Sequence, residues 1–195
     1  MNLFYEEGNK GIDMQNVDEI ITGCINKDKH YEDLLYAHFS SVAYAICIRY
    51  AANSHDAKDI FQEAFVKVYV QLKNYNKQGS FEGWLKRIFV NTALDYCRRK
   101  KNIHFTSAIE KFETISEEEV SQNNVDIPKE KLFELIRNLP DGYRLVFNLY
   151  AIEKYSHKQI AEALNIEEGT SKSQLFKARK MLQKEIIKLQ QYINH

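Results

Sequence analysis

Apolar residues recur every three or four positions along most of the chain, and the alternation that marks strands is scarce. This spacing predicts an all-α protein. A polar, acidic stretch that ends in Pro128 interrupts the pattern, so we expect two small helical domains, residues 1–101 and 129–195, joined by an acidic linker at residues 102–128. In the first domain the spacing predicts helices near residues 17–27, 31–52, 56–73 and 81–101.

The predicted third helix has two faces of different character. Its core face is continuous at helical spacing and comprises Ala57, Ile60, Phe61, Ala64, Phe65, Val68 and Leu72. Its opposite face combines two carboxylates, an amide and two valines, at Asp59, Gln62, Glu63, Val66 and Val70. A solvated face with two chance valines is one interpretation. A docking surface explains more of the pattern, because carboxylates suit a basic partner and valines offer apolar area for burial.

The predicted fourth helix lies within SFEGWLKRIFVNTALDYCRRKK, residues 80–101. Its buried side should consist of Phe81, Trp84, Leu85, Ile88, Phe89, Thr92 and Tyr96. Its outer side carries Arg87, Asn91, Asp95 and Arg98, and the stretch ends in Arg99, Lys100 and Lys101. Arginine and asparagine side chains match the hydrogen-bonding edges of bases, and the terminal cations suit phosphates. The outer side is therefore a candidate nucleic-acid surface.

A polar loop, NYNKQGS at residues 74–80, precedes that helix. Such a loop can hold an unstacked base, because an aromatic ring offers a stacking platform and polar groups reach the base and its backbone. The candidate residues are Asn74, Tyr75, Asn76, Lys77, Gly79 and Ser80.

The stretch SHKQIAEALNIEEGTSKSQLFKARKML, residues 156–182, has the pattern of a helix-turn-helix. Ser156 and Gln159 form a capping-box sequence, and Asn165 can take the left-handed conformation that a tight turn needs. On the second helix we expect Ser171, Leu175, Ala178 and Leu182 to face inward. We expect Lys172, Ser173, Phe176, Lys177 and Lys180 to face outward. That outer set suits a DNA groove, since lysines reach phosphates and a phenylalanine can touch a thymine methyl. An ordinary helical hairpin is the alternative.

Charge is distributed unevenly along a chain whose formal net charge is zero. Residues 86–101 carry six cations and one acid, a net +5, and residues 170–188 carry the same balance. Between them, residues 102–128 carry one cation and six acids, a net −5. Two basic regions separated by an acidic segment indicate a nucleic-acid partner, which the total charge alone does not.

Other classes of site are not indicated by the sequence. The three cysteines, Cys24, Cys47 and Cys97, have neither metal nor redox spacing, and the six histidines pair with no candidate nucleophile. We therefore predict no catalytic residues, no metal and no cofactor. No apolar run reaches the length of a membrane span, and the first ten residues lack the apolar core of a signal peptide. We expect a cytoplasmic protein without membrane insertion.

Taken together, these motifs resemble the bacterial sigma-70 family of RNA polymerase sigma factors, and in particular its extracytoplasmic-function (ECF) group, which has only regions two and four. DAKDIFQEAFVKVY (residues 56–69) resembles region 2.2, and residues 80–101 resemble regions 2.3 to 2.4. Residues 139–182 resemble region 4. The sequence GTSKSQLFKARKML is similar to members from Bacteroidetes in particular. The resemblance covers about residues 18–188.

The resemblance implies a non-enzymatic protein that binds core RNA polymerase and directs promoter-specific initiation. Asp59, Gln62 and Glu63 would contact the clamp of the β′ subunit, and the β flap is a second expected contact on the polymerase. Residues 74–80 would capture a flipped base of the −10 element. Reading of −10 would fall to Arg87, Asn91 and Arg98, and reading of −35 to Lys172, Ser173, Phe176 and Lys177. An anti-sigma factor is a further expected partner.

Two departures from the family pattern fall in the helix-turn-helix. Ser171 stands where the family more often has valine, which should loosen the packing of the two helices. Lys177 replaces the commoner arginine, so a bidentate contact with guanine is not expected there.

A stand-alone DNA-binding regulator would also explain the C-terminal motif. It would leave the cationic fourth helix and the outer face of the third helix without a role, and such regulators usually bind as symmetric dimers. A pure protein-interaction module would not account for two basic regions.

Overall fold

The computed structural model describes residues 14–100 and 127–193, and every regular element within those ranges is helical. This confirms the all-α prediction. The predicted linker lies outside the described residues except for residues 127 and 128, and so does Lys101. The chain divides into two compact units, one ending at Arg99 and the other starting at Lys100. The first unit contains α1 (Met14–Ile25), α2 (Lys29–Tyr50), α3 (Ser54–Gln71) and α4 (Phe81–Arg99).

The helices of the first unit begin where side chains satisfy their free backbone amides. Asp28 caps α2 by accepting a hydrogen bond from the amide of His30, and Asn53 caps α3 by accepting one from the amide of Asp56. As a result α2 and α3 each begin two residues earlier than the apolar spacing predicts. Ser80 plays a related part at α4, because its Oγ lies 3.1 Å from the amide nitrogen of Gly83.

The core of the first unit forms where α2, α3 and α4 meet, with α1 packed against α2. An aromatic cluster lies at its centre: Phe65 contacts both Phe61 and Phe89 in edge-to-face geometry. The predicted core face of α3 is confirmed apart from Phe61, which is half-buried. Residues that are at most 1% exposed include Leu35, Ala43, Ile46, Ile60, Ala64, Val68, Leu85 and Phe89. This core fixes α3 and α4 side by side, which positions the candidate surfaces.

Gly23 allows α1 to approach α2 closely. A Cβ atom at this position would lie 2.1 Å from Cδ2 of Tyr31 and 2.7 Å from its Cβ. Since a Cβ atom moves only with the backbone, Gly23→Ala should force the helices apart and lower the free energy of unfolding by about 1–3 kcal/mol. Urea unfolding followed by the fluorescence of Trp84, the only tryptophan, measures this change.

Gly169 provides the control for that substitution, because a Cβ there would meet no atom within 4 Å. Since Gly169 lies in the second unit and Trp84 in the first, the unfolding of this control is followed by far-ultraviolet circular dichroism. Gly169→Ala should be neutral or stabilise by up to about 1 kcal/mol. A Gly23→Ala chain that unfolds at the same urea concentration as the native chain would show that the α1–α2 contact is not tight.

The second unit contains α5 (Lys129–Arg137), α6 (Asp141–Phe147), α7 (His157–Leu164) and α8 (Glu168–Ile193). A π-helical turn over Asn148–Ile152 extends α6. One core cluster joins Ile136 and Leu139 to Ala178 and Leu182 of α8. In the described part of the chain, no helix combines the length and apolar character needed to cross a membrane.

Arg144 organises the turn between α5 and α6 from inside the protein. Its side chain is 4% exposed, and Nη1 donates to the carbonyl oxygens of Arg137 and Leu139 at 3.1 and 3.0 Å. Its Nη2 lies 2.6 Å from Oδ1 of Asp141. A buried guanidinium is tolerated here because it satisfies the carbonyls that a helix end leaves free and is itself neutralised by a carboxylate.

Candidate protein and nucleic-acid interfaces

The outer face of α3 exposes two valines. Val66 is 62% and Val70 is 65% exposed, and Gln62 is exposed on the same helix. Exposed valines four residues apart lie on one face of a helix, so their side chains form a small continuous apolar strip. Such a strip beside polar groups suits a surface that a protein partner covers. Three of the five predicted docking residues therefore lie on an open face.

Asp59 and Glu63 differ from the prediction, because each side chain is half-buried beside α4. Glu63 pairs with Arg99 of α4 and with Lys67, whose Nζ lies 2.9 Å from Oε1 of Glu63. Desolvation opposes ionisation of Glu63, but the hydrogen bonds from Arg99 and Lys67 outweigh it and lower its pKa. The carboxylate is thus ionised at neutral pH and already has two cationic partners.

Tyr96 of α4 contacts two acids of α3. Its hydroxyl oxygen lies 3.0 Å from Oδ1 of Asp56 and 3.1 Å from Oδ2 of Asp59. Burial and the two carboxylates raise the pKa of Tyr96, so the hydroxyl keeps its proton. One hydroxyl proton can be donated to only one carboxylate at a time. The sequence placed Tyr96 on the buried side of α4 and did not indicate that its hydroxyl contacts these two acids of α3.

The outer side of α4 has the predicted residues in place. Arg87, Asn91 and Arg98 are exposed, at positions that follow one another around the same side of the helix. Arg98 pairs with Asp95, three residues earlier. Arg99 is exposed but pairs with Glu63, and Lys100 is exposed. The face therefore exposes Arg87 and Asn91, while acids partly neutralise Arg98 and Arg99 near its end.

The loop before α4 is ordered by its own contacts. Tyr75 is half-buried, its ring contacts Phe81 and Trp84, and its hydroxyl donates to the carbonyl of Gly79 at 2.8 Å. Gly79 has φ +101°, a conformation that side chains strongly disfavour. Asn74, Asn76 and Ser80 are exposed, and the side-chain oxygen of Asn76 accepts from the amide of Gln78. The loop thus presents polar groups around an aromatic floor.

Lys77 contributes to this loop differently from the prediction. Its Nζ lies 2.7 Å from Oδ2 of Asp18 on α1, so its charge is shared with an acid rather than presented alone. The backbone of Lys77 takes the left-handed conformation, with φ 57°. The ion pair links the loop to α1 at the surface of the unit.

The turn of the helix-turn-helix forms as the sequence predicts. Ser156 and Gln159 make both hydrogen bonds of the capping box at the start of α7. Asn165 ends α7 in the left-handed conformation, with φ 53° and ψ 54°. The buried positions on the two helices are Ile160, Leu164, Ser171, Gln174, Leu175, Ala178 and Leu182. The capping box, the left-handed turn at Asn165 and one set of mainly apolar buried contacts therefore fix how α7 and α8 meet.

Ser171 is fully buried, and its Oγ lies 2.9 Å from Nδ1 of His157 on α7. The imidazole of His157 stacks on Tyr150, with ring centroids 4.7 Å apart. The guanidinium of Arg179 lies over the Tyr150 ring, 5.6 Å from its centroid. Ser171, which stands where the family more often has valine, thus adds a polar contact between α7 and α8 instead of leaving the position unfilled. His157 is the partner that the sequence did not reveal.

The outward face of α8 is narrower than predicted. Lys172 and Lys180 are exposed, but Ser173, Phe176 and Lys177 are half-buried. The reason is that α8 packs against both α6 and α7, so two neighbours cover a wider sector of its surface than one would. Ser173 donates to the carbonyl of Thr170, and Lys172 pairs with Glu168 at 2.8 Å. Phe176 is therefore not the freely exposed ring that the helical spacing suggests.

The contact between His157 and Ser171 predicts a pH dependence. Burial and the nearby charge of Lys172 lower the pKa of His157 from its ordinary value of 6.5. As pH falls through about 6.5, the unfolded chain takes up this proton before the folded chain does, so the second unit loses stability. Well above its ordinary pKa, His157 is neutral in both the folded and the unfolded chain. It then adds no pH dependence to the free energy of unfolding.

His157→Asn should remove this contribution, because asparagine keeps a polar group near the position of Nδ1 but does not titrate. Hydrogen exchange of α7 and α8 amides, corrected for intrinsic rates, should show a smaller loss of protection in the variant than in the native chain between about pH 7.5 and about pH 5.5. Equal losses in both proteins would show that His157 does not carry the effect.

One group among the described residues has the composition of a metal site. The ligand atoms of His55, Asp56 and Asp59 lie within 4.8 Å of one another. Hydrogen bonds within the protein already engage them, since Asp59 contacts His55 and Tyr96 and Asp56 contacts Asn53 and Tyr96. We therefore interpret the group as a structural contact between α3 and α4.

The cysteines behave as core or boundary residues. Cys24 and Cys47 are buried, and burial raises the pKa of Cys24 to about 11 and that of Cys47 to about 12. Both thiols therefore stay protonated at neutral pH and are poor nucleophiles and metal ligands. Cys97 is half-buried, and its Sγ lies 3.6 Å from the carbonyl oxygen of Tyr50.

Comparison with protein families gives two matches in the order that the sequence suggests. The family Sigma-70 region 2 matches residues 35–103, and the family Sigma-70, region 4 matches residues 129–182. The first match includes α3, α4 and the loop between them. The second includes α7 and the first fifteen residues of α8.

Several curated relatives are similar to this chain along most of its length. The ECF RNA polymerase sigma factor SigW of Bacillus subtilis is 32% identical over 153 residues, which cover 73% of this chain and 82% of the relative. SigM of the same organism is 30% identical over 159 residues, covering 77% and 91%. The sigma-E factor of Escherichia coli K12 is 27% identical over 183 residues, covering 88% and 95%.

Among solved structures, the structure of CnrH in complex with the cytosolic domain of CnrY is similar to this chain, with a TM-score of 0.44 and 17% sequence identity. The similarity covers 86% of this chain and 95% of the CnrH chain. Two family matches in order, together with relatives of at least 30% identity over most of both chains, establish the family. The chain therefore belongs to the ECF group of the sigma-70 family, the transcription initiation factors that bind RNA polymerase and direct it to promoters.

Proposed function

We propose that the chain docks on the β′ clamp of core RNA polymerase through the outer face of α3, formed by Gln62, Val66 and Val70 with Asp59 and Glu63 at its edge. The observation that carries this assignment is the exposed valine strip beside an ionised carboxylate. A buried apolar centre with a charged rim is the usual composition of a specific protein interface. The second unit would contact the β flap.

The surfaces that would contact promoter DNA belong to the same proposal. The recognition helix α8 would enter the −35 major groove with Lys172, Ser173, Phe176, Lys177 and Lys180. Lys172 and Lys180 are exposed and suit phosphates. Ser173, Phe176 and Lys177 are half-buried, so their reach toward base edges is shorter and depends on how deeply α8 enters the groove.

The −10 element would meet the loop at residues 74–80 and the outer side of α4. A non-template base leaves the duplex and enters the loop, where Tyr75 and Trp84 offer aromatic surface. Arg87, Asn91 and Arg98 contact the bases of the separated strands, while Arg99, Lys100 and Lys101 contact the backbone. Unpairing costs a few kcal/mol per base, which base capture and backbone contacts offset. The bond-forming chemistry belongs to the polymerase, so the chain needs no catalytic residue of its own.

Three further expectations belong to this proposal. The similarity of GTSKSQLFKARKML to Bacteroidetes members suggests that subgroup. An anti-sigma factor is proposed as a regulator because the family commonly has one. The protein should act in the cytoplasm, where its polymerase and promoters are.

Transcription in vitro from genomic fragments tests the proposed function whatever the promoter sequence is. Fragments from the source organism are incubated with its core polymerase, with and without the chain, and the 5′ ends of the transcripts are sequenced. The proposal predicts new start sites that share one −35 and one −10 sequence. If the chain binds duplex fragments but no transcription start site depends on its presence, a stand-alone DNA-binding regulator is the better account.

A further inference from the structure

A titratable side chain, His157, connects three elements of the second unit. It is the first residue of α7, and its Nδ1 lies 2.9 Å from Oγ of the buried Ser171 on α8. Its ring stacks on Tyr150, the only titratable residue of the π-helical turn, and the guanidinium of Arg179 lies over that same tyrosine ring. The histidine is half-buried, so it can still exchange a proton with solvent.

The charged groups around His157 are mainly cationic. Burial lowers the pKa of His157, the charges of Lys172 and Arg179 on α8 lower it further, and Glu168 on α8 opposes them. Lys158 follows directly on α7. Glu168 is itself partly neutralised, because its Oε1 lies 2.8 Å from Nζ of Lys172. Protonation of His157 in the free chain therefore adds a cation where cations already prevail.

DNA would change this balance of charge. The proposed function assigns Lys172 to the −35 element, and a phosphate that binds Lys172 offsets its positive charge and draws it away from Glu168. The carboxylate of Glu168, which interacts with a charge on His157, is then less neutralised. Both changes favour the imidazolium form of His157, because a negative charge nearby stabilises a cation.

Ser171 allows the contact between α7 and α8 to survive protonation. A serine hydroxyl can donate to a neutral imidazole nitrogen and can accept from the N–H of an imidazolium. Valine, which the family more often has at this position, can do neither, and an imidazolium N–H buried against it would lack an acceptor. The recognition helix α8 thus keeps its contact with α7 in both protonation states of His157.

We infer that −35 recognition is proton-linked: the helix-turn-helix takes up a proton at His157 when it binds DNA. The inference rests on the proposed function of α8 and adds a dependence of that function on pH. A site that gains a proton on binding binds more tightly as pH falls. The free unit responds in the opposite direction, since its stability falls with pH. We expect an effect of about threefold, because a single partly exposed charge contact is weak.

Duplex binding at two pH values is the first test. The probe is a labelled duplex of about twenty base pairs that carries the −35 sequence shared by the start sites found in genomic transcription. Fluorescence anisotropy with the full-length chain at constant low salt should show a gain in affinity between about pH 7.5 and about pH 5.5 that is about threefold larger for the native chain than for His157→Asn. The control His30→Asn, which removes an exposed histidine from α2, should respond as the native chain does. Equal responses of the native chain and His157→Asn would overturn the inference.

Two substitutions of matched shape at Ser171 separate proton linkage from packing. Ser171→Thr keeps the hydroxyl, and Ser171→Val has a methyl group in its place. The threonine variant should keep the native response to pH, whereas the valine variant should respond less, because it offers the imidazolium no acceptor. Equal responses of the two variants would show that the hydroxyl is not involved and would also overturn the inference.

Proton NMR of the native chain measures the same step without a substitution. The pKa of His157, read from its Cε1–H resonance, should be higher in the complex with the duplex than in the free chain. If the chain binds the duplex but this pKa does not rise, the proton linkage is wrong and the proposed function stands. If genomic transcription yields no start site that depends on the chain, the proposed function is wrong, and the linkage, which rests on it, is wrong with it.

Discussion

Replacing Val66 and Val70 together by lysine should nearly abolish binding to core polymerase while leaving the chain folded. The two side chains are more than 60% exposed, so the fold loses little and the free energy of unfolding should change by no more than about 0.5 kcal/mol. In the complex, the change removes apolar contact at the centre of the interface and places two cations against a basic partner. We expect affinity to fall at least about a hundredfold, or about 2.7 kcal/mol.

The valine pair is a cleaner probe of the docking face than its acids are. Changing Asp59 or Glu63 also removes contacts to Tyr96 and Arg99, so lost binding would mix docking with a disturbed α3–α4 contact. Ile25→Lys is the matched control, since Ile25 is a 46% exposed apolar residue at the end of α1. Equilibrium binding of labelled chains to core polymerase measures the difference. Affinity of the double variant within about threefold of the control would show that this face is not the docking site.

The sequence predicted those features that depend on residues close together along the chain. The capping box at Ser156, the left-handed Asn165 and the core face of α3 all follow from spacings of three or four residues. The starts of α2 and α3 were missed by two residues because the caps, Asp28 and Asn53, are polar and lie outside the apolar pattern.

Contacts between helices could not be predicted in the same way. Glu63 and Arg99 are 36 positions apart, and Tyr96 and Asp56 are 40 positions apart. Periodicity shows which side of a helix a residue occupies but not which residue of the next helix it faces. Asp59 and Glu63 were therefore expected on an open face, although both are half-buried beside α4. The contact of a buried serine with His157 was missed for the same reason, since such a serine gives no signal of its partner.

Asn91→Ala should severely weaken promoter opening while leaving −35 binding intact. Asn91 is exposed on α4, so its loss should not disturb the core. A bidentate amide-to-base contact contributes about 1–3 kcal/mol of discrimination, so the variant should open a paired promoter about 10- to 100-fold less well. The proposed −35 contacts are made by α8, which lies in the other unit, so they do not involve this residue. Gln183→Ala, an exposed amide on α8, provides the control.

A template that is already mismatched across the −10 element distinguishes melting from simple binding. The unpairing cost is then removed in advance, so the Asn91→Ala chain should recover part of its activity there. If Asn91 only helped to hold duplex DNA, the mismatch would give no preferential recovery.

The most direct test of the account is the permanganate reactivity of thymines in the −10 element. It is measured in complexes of core polymerase with this chain, at a promoter found by transcript sequencing. With the native chain the thymines should become reactive on the paired template, and without it they should stay unreactive. With Asn91→Ala they should be weakly reactive on the paired template and more reactive on the mismatched one. Two results would contradict the assignment of α4 as the helix that opens the promoter. In the first, thymines on the paired template react as strongly with Asn91→Ala as with the native chain. In the second, they react without any added chain.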